Sequence, residues 1–211
     1  MAMIMNNDGI TVSIRGFWST ESKPHIEGGL LKGRYYFHSI TFHWKSFHND
    51  GSEHSFDNIK YPLEMQVMHV KENFKSLSEA MQRNNTKKDN NNIAIISYIF
   101  QIKDQKNALL EPILMNLSRV EKTYSKVYIP PIHLDSVLPL FESKYYSYKG
   151  SLTQPPYCEI VTWIIHPEPL VISSLQMAEF CNLHSTNGLM IRNSRSIQSL
   201  NDRNVFFIEN N

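Results

Sequence analysis

Ten consecutive residues, Ile93 to Ile102, read IAIISYIFQI, and this run constrains the fold more than any other stretch of the chain. It is rich in β-branched and aromatic side chains, which suit a pleated strand better than a helix. Apolar residues stand at both parities, so a strand made from it must be covered on both faces. That predicts an interior strand of a broad sheet with packed layers on either side. The segment before it, residues 83–92 (RNNTKKDNNN), is polar and low in complexity and predicts a surface loop.

Further runs of strand character are 10–15, 35–43, 61–69, 160–165 and 204–208. Breakers separate them: Gly28-Gly29, Gly33, Asn49-Asp50-Gly51 and Pro155-Pro156. Helical signals are few and brief. Ser76 with Glu79, and Ser173 with Gln176, have the spacing at which two side chains cap a helix start reciprocally. Leu110, Ile113, Leu114 and Leu117 would share one helical face, with Pro112 tolerable only near the first turn. The expected class is mixed but β-dominated: a large, twisted, mainly antiparallel central sheet with short peripheral helices. At 211 residues, with no internal repeat or linker, residues 1–211 predict a single domain.

The bulk numbers mostly exclude. A hydrophobic content of 41% and a charged content of 19% fit a soluble globular chain. The formal net charge of +1 gives no pull toward nucleic acid or anionic membrane. Lys71, Lys75, Lys87 and Lys88 are scattered without aromatic interleaving, so no nucleic-acid partner is expected. No apolar run is long enough for a transmembrane segment. Met1 to Asn7 lacks a basic start followed by an apolar core, so no signal peptide is visible. Cys158 and Cys181 leave open one disulfide or two thiols. Asn84 and Asn116 begin sequons, which settle no compartment.

The chemistry gathers in three stretches: Thr41-Phe42-His43-Trp44, Gly51-Ser52-Glu53-His54 and Glu64-Met65-Gln66-Val67-Met68-His69. Strand alternation puts Ser39, Thr41 and His43 on one face, and Glu64, Gln66 and Met68 on one face of the later strand. Two neighbouring strands can thereby aim three side chains at one point, which is what a catalytic zinc with an open position needs. By the same parity His38 and His69 should point away.

In these stretches the chain resembles the α-carbonic anhydrases. Gly28-Gly29-Leu30, Lys60-Tyr61-Pro62-Leu63-Glu64, Gly150-Ser151-Leu152-Thr153-Gln154-Pro155-Pro156, Val161-Thr162-Trp163, Asn193-Ser194-Arg195 and Leu200-Asn201 extend the match in order almost to the C-terminus. The resemblance implies roles. Of three zinc-ligand positions, His43 fills one, while Thr41 and Gln66 stand at the others; a hydroxyl and a neutral amide are poor substitutes for imidazole. Thr153 matches the threonine that accepts a hydrogen bond from zinc-bound hydroxide, and Glu53 the glutamate that orients it. Glu64 matches the carboxylate behind the third ligand, with His54 and Asn193 in the surrounding polar network. Leu152, Val161, Trp163 and Gln154 match the substrate pocket. The family's proton-shuttle histidine would fall in Asp8-Gly9-Ile10, where there is none.

The resemblance begins near Asn6, so a chain lacking the family's N-terminal segment is expected. A leader supplied by such a segment would send the protein outside the cell; without one it is cytoplasmic. Bland readings stand beside these roles: a lone His43 is more often a satisfied buried histidine than a ligand, and Glu53 with Thr153 is explicable as structural hydrogen bonding. The implied function is a carbonic anhydrase-related domain without hydratase activity and without a cofactor, working through an unidentified protein partner. The alternative is a zinc-dependent carbonate dehydratase with altered metal ligation, and a third reading is a decayed gene product.

Overall fold

The computed structural model describes residues 2–19, 22–46, 50–82, 91–139 and 144–209. Its strands are β1 (Ala2–Asn7), β2 (Val12–Phe17), β3 (His25–Ile26), β4 (Tyr35–Trp44), β5 (Leu63–Lys71), β6 (Ile93–Ile102) and β7 (Lys126–Ile129). They continue with β8 (Lys144–Gly150), β9 (Val161–Ile165), β10 (Leu170–Ile172), β11 (His184–Ser185), β12 (Gly188–Leu189) and β13 (Val205–Glu209). Eleven of these build one sheet in the order β13-β8-β9-β6-β5-β4-β2-β1-β7, with β10 beside β6 and β3 beside β4. Pairing is antiparallel except for β6 with β9 and β6 with β10. The expected β-dominated, mainly antiparallel architecture is the one found.

The apolar run is the interior strand β6, matching in both bounds. Its residues from Ile93 to Phe100 are buried, alternating between two layers. Ile96, Tyr98 and Phe100 enter the main core, together with Met3, Met5, Val12, Ile14, Ile40, Phe42, Trp44, Leu63, Met65 and Val67. Ile93 and Ile95 point the other way, into a smaller cluster with Val70, Leu152, Val161 and Trp163. The side chains of functional interest lie on this second face, behind which the main core fixes the sheet.

The helices are short. In α3 (Ser174–Cys181) the capping box is complete: Ser173 Oγ accepts from the Gln176 backbone and Gln176 Oε1 accepts from the Ser173 backbone. Before α1 (Leu77–Gln82), Ser76 Oγ accepts from Glu79 N, but Glu79 reaches Lys75 N instead of closing the box. The Leu110–Leu117 pattern is not one helix. It is two short 3-10 turns around α2 (Glu111–Leu114), with Pro112 in its first turn, yet all four apolar residues are buried as their spacing requires.

Of the expected surface loop, residues 83–90 lie outside the described residues. Its end is a correction: Asn91 and Asn92 are buried, because the Asn91 carbonyl accepts from the Tyr35 hydroxyl and Asn92 Nδ2 donates to Ala80 O. Asn116 of the second sequon is also buried, its amide bonded to Pro112 O. Cys158 and Cys181 are both free and partly buried. Among the described residues no helix is long and apolar enough to cross a membrane.

Candidate functional site

The antiparallel ladder between β4 and β5 sets Thr41 opposite Gln66 and His43 opposite Glu64. Cross-strand partners on one face stand close enough for their side chains to interact. A third element crosses this corner: the loop Gly51–His54, held by Ser52 N to Tyr61 O at 2.7 Å. Gly51 is required there. A Cβ on it would meet Pro62 O at 2.2 Å and Lys45 N at 2.3 Å, both backbone atoms that cannot step aside. That close passage delivers Glu53 and His54 to the strand pair.

Glu64 is the hub. Its buried carboxylate accepts from Glu53 N and His54 N, both at 2.9 Å, and from His54 Nδ1 at 2.8 Å. Gln66 Nε2 and Ser97 Oγ add bonds of 2.9 Å each. Burial alone would raise this carboxyl. The charge and hydrogen bonds of His54, with the Gln66 amide, outweigh it and hold the group at about 2. His54 is fixed in turn: Nε2 stands 2.7 Å from the Tyr148 hydroxyl, and its ring meets Trp163 edge-on at 4.7 Å. Burial, with the charge of Glu64 beside it, raises the Tyr148 hydroxyl and keeps it protonated.

His43 and Glu53 form a second unit. Nδ1 lies 3.0 Å from Glu53 Oε1, and both side chains are almost fully buried. Burial pushes the imidazole down, but the hydrogen bond and charge of Glu53, the charge of Glu64 and the Asn193 carbonyl push it further up. Both Glu53 oxygens also accept from Arg195 N, at 3.0 and 3.1 Å. Asn193 ties this C-terminal segment to β4, accepting from Trp44 N at 2.7 Å and donating to Phe42 O at 2.9 Å.

His43, Glu53, His54, Glu64, Gln66, Thr153 and Asn193 lie in one network, but one expected pairing is not made. Glu53 faces His43 and Arg195, while Thr153 Oγ1 donates to Gln66 Oε1 at 3.4 Å. Gln66 therefore joins Thr153 to Glu64. Leu152, Val161 and Trp163 form the apolar wall beside it, where Trp163 Nε1 donates to Ser151 O. Gln154 keeps a buried Nε2 without a hydrogen-bond partner among the described residues.

His69 faces away as parity requires, packed against Phe37 at 6.0 Å in the main core. The same argument fails for His38. A bulge between Phe37 and Ser39 breaks the alternation, and the His38 ring turns to the Ser39 hydroxyl at 3.0 Å. Ser97 and Tyr148 were missed. Ser97 had a readable signal, as a small hydroxyl inside a largely apolar buried strand, which must find a partner. Tyr148 had none beyond its place in an aromatic strand.

The chain is 32% identical over 204 residues to putative carbonic anhydrase 5 of Caenorhabditis elegans, covering 95% of this chain and 64% of that protein. It is 34% identical over 196 residues to carbonic anhydrase 1 of Monodelphis domestica, covering 90% and 71%. It is also 31% identical over 182 residues to human receptor-type tyrosine-protein phosphatase zeta, covering 85% of this chain and 7% of that protein. The match to the eukaryotic-type carbonic anhydrase family runs over residues 1–209, and the chain belongs to that family.

Proposed function

We propose that this chain is a carbonic anhydrase-related module that does not hydrate carbon dioxide and acts through contacts with another protein. The observation that carries the reading is the engagement of Gln66. Its amide nitrogen donates to Glu64 and its oxygen accepts from Thr153, so the side chain completes a hydrogen-bonded chain across the cleft. The zinc that the family implies does not fit this donor set. One imidazole, a hydroxyl at Thr41 and a neutral amide make a weak site for a borderline-soft cation. The imidazole is itself held by Glu53 through Nδ1. No group of three or more His, Cys, Asp or Glu side chains suited to a metal occurs among the described residues. Without a metal-bound hydroxide, the frame of Thr153 and Glu53 has no nucleophile to orient.

The protein-contact half of the proposal draws on the phosphatase relative, in which the matched stretch is one part of a far longer chain. A cleft held by hydrogen bonds keeps its fold and surface without performing chemistry.

The test is metal content by elemental analysis, with a carbon dioxide hydration assay on the same purified protein. Substoichiometric zinc and no rate above the uncatalysed reaction are expected. Stoichiometric zinc with sulfonamide-sensitive hydration overturns the proposal in favour of a carbonate dehydratase with altered ligation. As a companion, Thr41→His with Gln66→His should bind one zinc per chain, because the two positions face each other across the ladder beside His43. Failure to bind would mean that the frame around the cleft does not hold ligands in register.

A further inference from the structure

An aspartate or asparagine followed by glycine leaves its side-chain carbonyl open to the next backbone nitrogen, because glycine puts no side chain in the way. The chain holds three such steps: Asp8-Gly9, Asp50-Gly51 and Asn187-Gly188. Two of them are locked. Asp8 Oδ1 accepts from Ile10 N at 2.9 Å and from Thr11 N at 2.8 Å, in the turn between the paired strands β1 and β2. A Cβ on Gly9 would also meet Thr123 at 2.9 Å. Asp50 Oδ2 accepts from Lys45 Nζ at 2.7 Å, and Gly51 is buried with the backbones of Trp44, Lys45 and Pro62 closing on it.

Asn187-Gly188 differs in each respect. It lies at the tip of the hairpin between β11 and β12, which form a two-stranded sheet apart from the main one. A hairpin of two strands is marginally stable on its own, so this one opens locally at little cost. Asn187 is exposed, and its side-chain amide makes no hydrogen bond among the described residues. A Cβ on Gly188 would meet nothing within 4 Å, and the φ of +103° there is one that favours glycine.

We propose that Asn187-Gly188 is a self-modifying site: it turns asparagine into isoaspartate and so presents a methyl-acceptor carboxylate to a carboxyl methyltransferase that uses S-adenosylmethionine. Gly188 N attacks Asn187 Cγ. The new N–Cγ bond forms, the Cγ–Nδ2 bond breaks, and ammonia leaves with the proton of the Gly188 amide. One water then opens the cyclic imide at either carbonyl. Opening at Cγ gives aspartate. Opening at the main-chain carbon gives isoaspartate, whose backbone runs through Cβ and leaves the α-carboxylate free. In the later step a methyl passes from the sulfonium donor to that carboxylate, leaving a thioether. Isoaspartate adds a backbone atom inside the turn, so Ser185 Oγ can no longer both accept from Asn187 N and donate to Gly188 O. The disturbance ends at the anchors of the hairpin. His184 O accepts from Asn7 Nδ2 at 3.0 Å and Thr123 Oγ1 at 2.9 Å, and Met190 O accepts from Trp44 Nε1 at 3.2 Å.

The test ages the purified protein in warm, mildly alkaline buffer, where the Gly188 amide gives up its proton more readily. Products are mapped by peptide mass spectrometry and by labelled-methyl transfer with a purified isoaspartyl carboxyl methyltransferase. Conversion at 187 should exceed that at Asp8 and Asp50 by about tenfold or more, because bonds must first open at those two sites. It should take the formal net charge from +1 to 0, seen as one acidic step on ion exchange, with methyl label at 187. Asn187→Gln, whose longer side chain closes the ring poorly, should abolish the acidic step and the label with an unchanged circular dichroism spectrum. A free peptide of residues 183–191 supplies the unfolded rate. The inference is overturned if the peptide converts while the folded chain resists, or if conversion is faster at Asp8, Asp50 or another asparagine. Deamidation at 187 without methyl incorporation overturns it as well. None of these outcomes depends on the metal content of the cleft.

Discussion

Replacing Glu64 by glutamine is nearly isosteric, yet it should be among the most damaging single changes available. The carboxylate is fully buried and accepts from five donors: two backbone amides, His54 Nδ1, the Gln66 amide and the Ser97 hydroxyl. A glutamine in its place presents an NH2 group to a cage made only of donors, so one oxygen's partners lose their acceptor. Each buried donor left without its acceptor costs about 1–3 kcal/mol, so stranding two or three of them costs about 3–5 kcal/mol. The acid equilibrium gives an independent figure. Moving this carboxyl from 4.5 in the unfolded chain to about 2 in the fold corresponds to about 3 kcal/mol. Because the folded value is the lower one, that stability is present above about pH 4.5 and is lost as pH falls toward 2. Denaturant titration of wild type and Glu64→Gln at pH 7 should show a loss of about 3–5 kcal/mol, out of the 5–15 typical of a domain. The difference should shrink as both proteins are titrated below pH 4. A loss under about 1 kcal/mol, or one independent of pH, would refute the idea that the carboxylate organises the site.

Two further measurements address the frame around it. Ser173→Ala removes one cap bond of α3 and should cost about 1 kcal/mol, whereas Gln176→Ala should cost roughly 2–4 kcal/mol. Gln176 also accepts from Asn107 N and donates to Asn107 O and Glu111, so its loss strands a buried peptide group; equal costs would contradict that. His69, buried in the aromatic core, is pushed down to about 4 by its burial. Its folded value lies below the unfolded 6.5, so its stability is present above pH 6.5 and lost as pH falls through 4. The part due to His69 should be up to roughly 3 kcal/mol and should be missing from His69→Gln, as read from denaturant midpoints of the two proteins across that range. His38 is likewise pushed down to about 4, through burial and then Arg15 and Lys23, so a variant retaining it keeps that share of the fall.

Much of the fold was legible because burial writes a period into sequence. The two-sided apolar run gave β6 in full, and the largely buried strands β4 and β5 were placed within two residues. Strands β1 and β8 were not expected, since Met3, Met5 and Tyr145 bury against elements remote in sequence and Lys144-Tyr-Tyr-Ser-Tyr-Lys carries no clean alternation. Site membership was legible through motifs, but its wiring was not. Residue identity places Glu53, Thr153 and Gln66 in one cleft without saying which of two acceptors Thr153 will choose. That choice is visible only in the structure, where Thr153 donates to Gln66 while the Gly51 loop delivers Glu53 to His43 and Arg195.

The bulge at His38 also bears on how this lineage can change length. In β4 the phase of the strand slips by one residue there, since Phe37 opposes His69 and Ser39 opposes Met68. His38 is thus a surplus position that the ladder has absorbed. A deletion at 38 would leave Tyr35 and Phe37 on the side of Ile40 and Phe42, and the cleft side chains on theirs. A deletion anywhere from Ser39 to Trp44 would invert everything on one side of it. Within this strand, gaps and insertions among relatives are expected to gather at a single place, and the cleft is insulated from them.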